Sequence, residues 1–593
     1  MPLIQLTDKL GVKRAAHLLR RACLGGSKTD IDAFATFTPM EAVRQLFGNE
    51  LPNAGYPIDP TTGQEWITTG NSQNQKFQLR KFFLSWHLGQ MVGNGIEESS
   101  KLSYIFRERL VFFLHTHFTT ISSVVGNSRS DYYQQALFRL FAFDQEDIIV
   151  PSEDPEDPES TEKIYPRNFK QLTKKICVDN AMLVFLDGQL NVKGRVNENF
   201  ARELLELYSI GRGLEGNVPA PEFDGDYFLF TEQDVQEGAK VLSGFNRDKN
   251  FNNIDPETGL PRGVIKGGNI ARQHEEGIKT FSARLGNGTV IPNEELQSGG
   301  RPTEESVLDE ISQFVDLIYE QDATPIAICR EIYRFFVYHE VDQSLQDNII
   351  KDMAAVFSAN EYKIQPVVEA LLTSTHFYGA EVGATDNKFG SIIKSPIDLV
   401  LGFMRNFDIQ LPDHQTESNT YYHFMGNILE EISNQGMDYY EPFEVAGYAA
   451  YHQYPIFNRS WITTTFLTYR YNFIRDRLSN GDNIKVGQVD VFQFVVQNFD
   501  IDTIKIADNF IIELAKYLLP VSENLTFDTT DDHAEITSER LRYFKTFLLD
   551  PGDLDAESAW TFRWENDLAQ LDRASQIRNL LNAMLQSPEY QLM

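Results

Sequence analysis

The sequence predicts a large, mainly α-helical protein with long irregular loops and at most a few short strands. Apolar residues recur at helical spacing through most of the 593-residue chain. A capping box marks one helix start, with Thr38 at the N-cap, Pro39 at the first helical position and Glu41 three residues after the cap. Strand signals are limited to residues 228–230 and 289–291, each short enough to be one arm of a hairpin.

The helical pattern extends along the whole chain. It is clearest at residues 79–93 and 101–118, where apolar residues that include Phe82, Trp86, Phe106 and Phe113 repeat at helical spacing. Helices are predicted near residues 79–93, 101–118, 170–187, 197–208, 231–243, 304–320, 324–339, 346–357, 364–375, 395–407, 461–478, 503–518, 536–548 and 574–586.

Three stretches are predicted to be loop insertions, at 51–76, 144–163 and 246–302. They are rich in Gly, Asn, Thr or Pro, and the second contains the acidic run EDPEDPES. Loops this long in a compact protein are often functional. We expect residues 1–400 to form a helical body that carries these insertions, and residues 401–593 to form a C-terminal helical, aromatic-rich region packed on it.

The composition excludes several classes of protein. A formal net charge of -32 should repel nucleic acids and anionic membranes. Three cysteines, Cys23, Cys177 and Cys329, lie far apart, which argues against a disulfide framework or a cysteine-built zinc site. The Walker A loop, the dinucleotide-binding glycine fingerprint, HExxH and GxSxG are absent, which disfavours nucleotide-driven enzymes, standard zinc proteases and α/β-hydrolases.

The N-terminal segment does not resemble a secretory signal peptide. No run of consecutive apolar residues is long enough to span a membrane as a helix. The expected location is therefore the cytoplasm, with export without a leader as the alternative. The sequence does not indicate an oligomeric state.

The first candidate site lies in the segment N-E-N-F-A-R-E-L-L-E-L-Y, residues 197–208. On a helix, Asn199, Arg202, Glu203 and Glu206 fall on the stripe opposite the apolar one. Two glutamates three residues apart repel each other by a few tenths of a kcal/mol, unless a cation compensates. Arg202 or a metal ion could supply that positive charge.

The second candidate is T-E-Q-D-V-Q-E-G-A-K-V-L, residues 231–242, in which Asp234 and Glu237 repeat the same spacing. Two helices that each offer a carboxylate pair could face one another, which is how carboxylate-rich di-metal sites are built, although the usual Glu-x-x-His motifs are missing. A structural interpretation competes, because Thr231 and Asp234 are also spaced as a capping box.

Histidines form the third candidate. His115 and His117 lie two residues apart and cannot share one face of a helix, but they could converge if the helix ends at His115. His274 lies beside acidic residues in the Gly/Asn-rich insertion, with Lys279 following. A loop histidine in this setting favours a functional role, against the alternative of an ordinary surface histidine.

A fourth feature is the density of aromatic residues between 421 and 475, which includes Tyr421, Tyr439, Tyr440 and Tyr451. Aromatic surfaces can hold sugar rings or peptides, but aromatic residues more often form a core or the wall of a cleft. Both interpretations stay open.

Several of these segments also carry a family resemblance. The chain resembles the large bacterial family of unknown function numbered 1800, through motifs that occur in one order: H-L-L-R-R-A at 17–22, R-E-R-L-V-F-F-L-H-T-H-F at 107–118, N-E-N-F-A-R-E-L-L-E-L-Y at 197–208, T-E-Q-D-V-Q-E-G-A-K-V-L-S-G-F at 231–245 and R-E-I-Y-R-F-F-V at 330–337. The segment E-P-F-E-V-A-G-Y-A-A-Y-H-Q-Y-P at 441–455 is similar to that of its Bacteroidetes-type members.

The resemblance implies a bacterial, mainly helical protein without an established activity. It also implies a partner, because members are often encoded beside a sulfatase-like or phosphatase-like protein. Many members carry export signals. The family commonly has Trp-His-Asn-His-Phe where this chain has Leu114-His115-Thr116-His117-Phe118, and His-Asp where it has His274-Glu275.

These observations support three hypotheses. The first is a metal-dependent enzyme, with a divalent metal held by Glu203, Glu206, Asp234, Glu237, His115 and His117, and with chemistry carried by Glu203, Arg202, Asp234 and His274. The second is a non-catalytic binding or assembly partner of the sulfatase-like protein, whose polar motifs form buried hydrogen-bond networks. The third is a carbohydrate-acting enzyme that uses paired carboxylates without a metal.

Overall fold

The computed structural model describes residues 3–48, 51–70, 77–144, 146–150, 163–379, 392–481, 484–520, 524–530, 536–550 and 552–593. The fold is mainly α-helical, which confirms the predicted class. Most of the acidic loop predicted at 144–163 lies outside the described residues.

The helices of the first 340 residues, α1 to α13, are Gly11–Cys23, Lys28–Ala35, Pro39–Leu46, Phe77–Gln90, Glu98–His117, Ser122–Val125, Ser128–Ala142, Phe169–Ile176, Asn180–Phe185, Asn199–Glu206, Glu232–Val241, Glu304–Tyr319 and Ala323–Phe336. Thr38 caps α3 in the predicted capping box with Glu41. The helix predicted at 170–187 is divided into α8 and α9, because the Asp179 side chain accepts a hydrogen bond from the backbone N–H of Met182 and so caps a new helix.

The later helices, α14 to α26, are Gln343–Leu345, Lys351–Ala359, Ile364–Leu372, Pro396–Asn406, Ser418–Asn434, Ala449–His452, Thr464–Arg477, Val491–Asn498, Ile501–Ile504, Ala507–Leu518, Ser538–Leu548, Ala556–Glu565 and Gln570–Leu585. A π-helical turn, Gln346–Ile350, joins α14 to α15. The helix predicted at 503–518 is interrupted, since Ile501–Ile504 and Ala507–Leu518 are separate.

Strands occur only in short pairs within the described part of the chain. The strands β1 to β10 are Ile58–Asp59, Gln64–Glu65, Ile148–Val150, Lys163–Tyr165, Phe245–Asn246, Val264–Ile265, Lys279–Thr280, Thr289–Val290, Leu478–Ser479 and Val489–Asp490. Each pairs with its neighbour in the chain; β9 and β10 run parallel and the other pairs are antiparallel.

The two strand predictions had different outcomes. The prediction near 289–291 is confirmed, because β8 pairs with β7. The prediction at 228–230 is wrong. A left-handed Phe228, with φ of 72°, turns the chain between the bridged residues Asp226 and Thr231, so the segment is a tight turn.

One continuous apolar core runs through the fold and takes residues from both parts of the predicted division. Helix α4 packs on α18, and α1 packs on α23. Cys23, Cys177 and Cys329 are buried and unpaired. Within the described residues, every helix is too short or too polar to cross a lipid bilayer.

Candidate functional site: a polar cleft beside α10

A cleft of about 240 Å³ lies where the C-terminal ends of α5 and α10 meet one face of α13 and the segment around residues 446–452. Helix α13 contributes Ala327, Arg330, Glu331, Arg334 and Phe335, which repeat at the spacing of one helical face. The other lining residues are Phe113, Thr116, His117, Glu206, Leu207, Tyr208, Ser209, Gly211, Arg212, Gly213, Glu215, Val218, Ala446, Tyr451 and His452.

Two glycines shape the chain that leaves α10. Gly211 and Gly213 have φ of 74° and 94°, in the left-handed region that other residues rarely adopt. The carbonyl of Gly213 accepts a hydrogen bond of 2.8 Å from the Arg330 guanidinium. This tight turn brings Arg212 and Glu215 back over the end of α10 and against α13.

Helix α10 presents its two glutamates differently. Glu206 lines the cleft and forms an ion pair of 2.7 Å with Arg212. The Glu203 side chain makes no hydrogen bond or ion pair with any described residue. Burial raises the pKa of Glu203 to about 7, and the charge of Glu206 adds to this, with Arg202 and Arg212 acting in the opposite direction. Glu203 therefore exchanges its proton near neutral pH.

His117 lies at the end of α5 and is nearly buried in the cleft wall. Its Nε2 donates a hydrogen bond of 3.0 Å to the carbonyl of Tyr208. Because Nε2 carries the proton, Nδ1 of the neutral ring has a free lone pair, and Nδ1 has no hydrogen-bond partner among the described residues. Burial lowers the pKa of His117 to about 4, so the ring is neutral at physiological pH.

His115 occupies a different environment. Helix α5 continues to His117, so the convergence that required an earlier helix end does not occur. The His115 ring stacks on Tyr440, with centroids 3.6 Å apart and planes at 8°, inside the aromatic core. Burial, with a smaller contribution from His87, lowers the pKa of His115 to about 3.

An ion pair between Arg334 of α13 and Glu215 of the loop after α10 holds the α13 side of the cleft in place. Arg334 contacts Glu215 at 2.5 and 3.0 Å and Glu331 at 2.9 Å. Burial opposes the ionisation of Glu215, but Arg334 outweighs it and holds the pKa of Glu215 below its usual value. Among the described residues, the nearest carboxylate to Arg330 is that of Glu215, at 4.0 Å, and the Arg330 guanidinium also donates to the Gln346 side chain at 3.3 Å.

A comparison with protein-family models identifies the chain. Residues 17–592 match the model described as "Protein of unknown function (DUF1800)". The chain belongs to this family. No curated protein matches it, and neither does any solved structure.

Three of the motifs quoted for the DUF1800 resemblance meet at the cleft. His117 comes from the segment at 107–118, Glu206 from 197–208, and Arg330 and Arg334 from 330–337. The segment at 441–455 adds Tyr451 and His452. Arg212, Glu215, Arg330, Glu331 and Arg334 were not singled out individually from the sequence, although the charged spacing of R-E-I-Y-R on one helical face was a usable signal.

Helix α11, in the fourth DUF1800 motif, directs its carboxylates away from the cleft. Asp234 is fully buried. Its carboxylate accepts hydrogen bonds from the backbone and hydroxyl of Thr231 (2.8 and 2.9 Å) and of Ser282 (both 2.7 Å). Glu237 forms an ion pair with Lys240 at 2.6 Å. Helices α10 and α11 do pack together, with Gly238 against Ala201, but among the described residues no hydrogen bond or ion pair joins the carboxylate pair of one helix to that of the other.

His274 and Arg202 also have structural partners. The buried His274 ring donates from Nδ1 to the carbonyl of Ser243 at 2.9 Å, and its Nε2 lies 3.3 Å from Glu310, which also contacts Lys279. Burial lowers the pKa of Lys279, with Glu310 opposing the shift. The surface-histidine alternative for His274 is therefore wrong.

Arg202 does not line the cleft and is held by two carboxylates. It forms a two-pronged pair with Glu232 at 2.8 and 3.0 Å and a weaker one with Glu198 at 3.2 Å. Tyr227 accepts a further hydrogen bond from Arg202 at 2.9 Å. Asn199 donates to the carbonyl of Leu186 at 3.3 Å.

The hypothetical metal set is therefore not assembled. Its six members are Glu203, Glu206, Asp234, Glu237, His115 and His117. Glu206 and His117 line the cleft, whereas Glu203 does not. Asp234 belongs to the α11 capping box, Glu237 is paired with Lys240, and His115 lies in the aromatic core. Among the described residues, no group of three or more His, Cys, Asp or Glu side chains has an arrangement that could hold a metal ion. The aromatic segment 421–475 supplies core residues such as Tyr421 and Tyr440, and also the cleft wall at Tyr451.

Proposed function

We propose that the cleft binds a small polar molecule and acts on it by proton transfer. The observation that supports this most directly is the state of His117: a neutral imidazole in a polar cleft, with Nε2 committed to Tyr208 and the Nδ1 lone pair unpaired. A ring held in one tautomer by a backbone carbonyl is the arrangement of a positioned proton acceptor.

The neighbouring carboxylates extend this proposal. Two acidic groups whose environments differ can act as acid and base in the same site. Glu206 has a cationic partner in Arg212, whereas Glu203 has none and its pKa is raised to about 7. In this proposal His117 accepts a proton from the ligand, and Glu203, which precedes Glu206 on α10 and does not itself line the cleft, stores a proton beside the site.

The arginines suggest the kind of ligand. The described residues that line the cleft include three arginines and three glutamates, so hydroxyl, amide and carboxylate groups would all find partners. Arg330 is almost buried and lacks a close carboxylate, so an acidic or carbonyl oxygen of the ligand fits there. A hydroxylated or acidic small molecule is the substrate class that we infer, which includes sugars.

A thermal-shift screen tests this proposal. Panels of neutral sugars, hydroxy acids and amino acids would be added to the wild-type protein and to Glu206→Gln. Loss of a charge-assisted hydrogen bond costs about 1.5–3 kcal/mol, so we expect Glu206→Gln to weaken binding of any stabilising compound by about tenfold or more. Compounds that bind would then be followed by NMR for chemical conversion.

The matched control is Glu237→Gln, which changes a partly buried, lysine-paired glutamate on α11, away from the cleft. It should leave binding unchanged. The proposal fails if no compound in the panels stabilises the wild type, or if a compound stabilises Glu206→Gln as much as it stabilises the wild type.

A metal-dependent reaction is the second candidate, because the same Nδ1 lone pair of His117 could bind a divalent cation together with Glu206. The ligand or water molecules would have to complete the coordination. Metal analysis of the purified wild type, Glu206→Gln and His117→Gln distinguishes the two candidates. A stoichiometric metal that both variants lose supports the metal site, and its retention by both contradicts it.

A further inference from the structure

An open groove of about 790 Å³ adjoins the cleft. It follows the chain between residues 218 and 232, and Arg212 and Val218 line both spaces. The cleft alone, at about 240 Å³, is smaller than the roughly 300–1,000 Å³ of a typical small-molecule site, whereas the groove lies within that range. A ligand that occupied both spaces would therefore be longer than a molecule that fits the cleft.

Hydrogen bonds fix the shape of the groove. The buried Asp226 carboxylate accepts from the backbone N–H of Glu222 at 2.9 Å and from that of Phe228 at 3.0 Å. The backbone N–H of Glu232 donates to the carbonyl of Gly225 at 2.8 Å. Because the segment satisfies these groups internally, the groove is formed before any ligand arrives.

The junction of groove and cleft carries backbone strain. Phe228 has φ of 72°, and a bulky residue in the left-handed region persists only when the surrounding structure holds it there. The Phe228 ring lies against Gly213, where a Cβ atom would be 3.3 Å from it. Strained residues of this kind concentrate at ligand sites, and this one shapes the wall that separates the cleft loop from the groove.

Three aromatic rings line the groove: Phe223, Tyr227 and Phe228. The Tyr227 ring already has cationic partners, since Arg202 and Arg212 lie 5.6 and 4.8 Å from its centre. Phe223 is 52% exposed and presents an apolar face to the solvent. An aromatic face among polar groups is suited to stacking against the apolar face of a sugar ring.

The charged groups of the groove are mainly acidic. Glu232 is paired with Arg202 at 2.8 Å, and Asp226 with Arg284 at 3.2 Å. Asp224 is exposed and makes no ion pair or side-chain hydrogen bond with a described residue. This free carboxylate repels an anionic group of a ligand, whereas a hydroxyl group can donate to it.

The cleft end has the opposite preference, because Arg330 has no close carboxylate and repels a cation. We propose that the cleft and the groove together bind a neutral oligosaccharide, with one sugar unit in the cleft and the following units along the groove, stacked on Phe223. An uncharged chain rich in hydroxyl groups suits both ends, which a polyanion or a basic peptide does not. This inference rests on the proposed function, since it names the substrate class of the same cleft.

Ligand-observed NMR titration of the full-length protein tests the groove. The probes are neutral sugars built of glucose, mannose, galactose, xylose or N-acetylglucosamine, each as a single unit and as chains of three and five units. We expect the five-unit chain of at least one sugar to bind about tenfold more tightly than its single unit. Phe223→Ala should lose most of this gain. The control Phe562→Ala, which removes a similarly exposed ring from α25, should keep it.

The other outcomes contradict the groove site. If longer chains bind no more tightly than single units while Glu206→Gln still weakens the single unit, the groove site is wrong and the proposed function stands. If no sugar binds, the groove site is wrong, and the hydroxy acids and amino acids of the thermal-shift panels decide the proposed function. Tighter binding of a five-residue lysine peptide, or of oligogalacturonate, than of every neutral chain would overturn the assignment to a neutral ligand.

Discussion

Helices α10 and α11 carry the same sequence pattern and have different roles. Each places two carboxylates three residues apart, Glu203 and Glu206 on α10, and Asp234 and Glu237 on α11. On α11, Asp234 is saturated by four hydrogen bonds and Glu237 is held by Lys240. On α10, Glu206 lines the cleft and Glu203 has no partner within the described structure.

The difference arises from what covers each helix. The 3₁₀ turn that begins after Ser282 lies over the start of α11 and supplies the donors that satisfy Asp234. The chain after α10 turns at Gly211 and leaves a cleft beside Glu206. Identical spacing along a helix therefore predicts a shared face, but it does not predict whether that face is packed or open.

We expect the largest effect from a substitution in the buried network that Glu310 forms with Lys279 and His274. Glu310→Gln removes the only carboxylate that contacts Lys279 and His274 among the described residues, and it leaves a buried ammonium unpaired. Breaking a buried ion pair on one side costs about 3–5 kcal/mol. Urea unfolding near neutral pH should show this loss. A change below about 1 kcal/mol would mean that the network is not structurally important.

The next effect concerns the capping box. Asp234→Ala removes the acceptor of four hydrogen bonds at the start of α11 and should lower the free energy of unfolding by about 3 kcal/mol, since both the cap and a buried charged acceptor are lost. Glu206→Gln, the control on α10, should change it by less than about 1 kcal/mol because its ion pair is partly exposed. Urea unfolding measures both variants. If the free energy of unfolding falls by a similar amount in both, the proposed difference between the two helices is contradicted.

The smallest effect depends on pH. In the folded protein the pKa of Glu203 is raised to about 7 from an unfolded value of 4.5, so the folded state holds this proton more tightly than the unfolded chain does. The contribution of Glu203 to wild-type stability therefore falls as pH rises from about 4.5 to about 7, and it stays reduced above that range. Glu203→Gln has no titrating group at this position, so its stability does not decrease for this reason as pH rises.

Because solvent reaches part of the side chain and screens its charge, we expect Glu203→Gln to be more stable than the wild type by about 1 kcal/mol at about pH 8. The two proteins should be equally stable at about pH 4.5. Unfolding curves at the two pH values measure the difference. A gain that is the same at both values would assign the effect to packing and not to the proton.

Local signals in the sequence were enough to predict much of the fold. The Thr38 capping box and the periodicity of α5, α12 and α13 each reflect interactions within a few residues, and these helices are present. The prediction at 228–230 failed because a left-handed Phe228 in a tight turn leaves no local signature in an aromatic segment. The division at residue 400 and the assembly role with a sulfatase-like protein stay predictions.

The candidate site was only partly predictable. Glu206 and His117 were among the residues named from the sequence, and both line the cleft. Asp234 and His274 were named as well, and the Thr231 cap of Asp234 was anticipated from their spacing. Their other partners, Ser282 for Asp234 and Ser243 and Glu310 for His274, lie 31 to 48 residues away along the chain. A spacing rule cannot show such partners, because it describes one helix at a time.

The sequence by itself determined the helical class, the acidic surface charge and the spacing of carboxylates along α10 and α11, since these follow from composition and from the geometry of a single helix. Only the tertiary structure decided which carboxylates are saturated and which remain available, and which tautomer His117 adopts. These properties depend on burial and on partners distant in the chain, because a charged group's protonation and its contribution to stability are set by the groups packed around it.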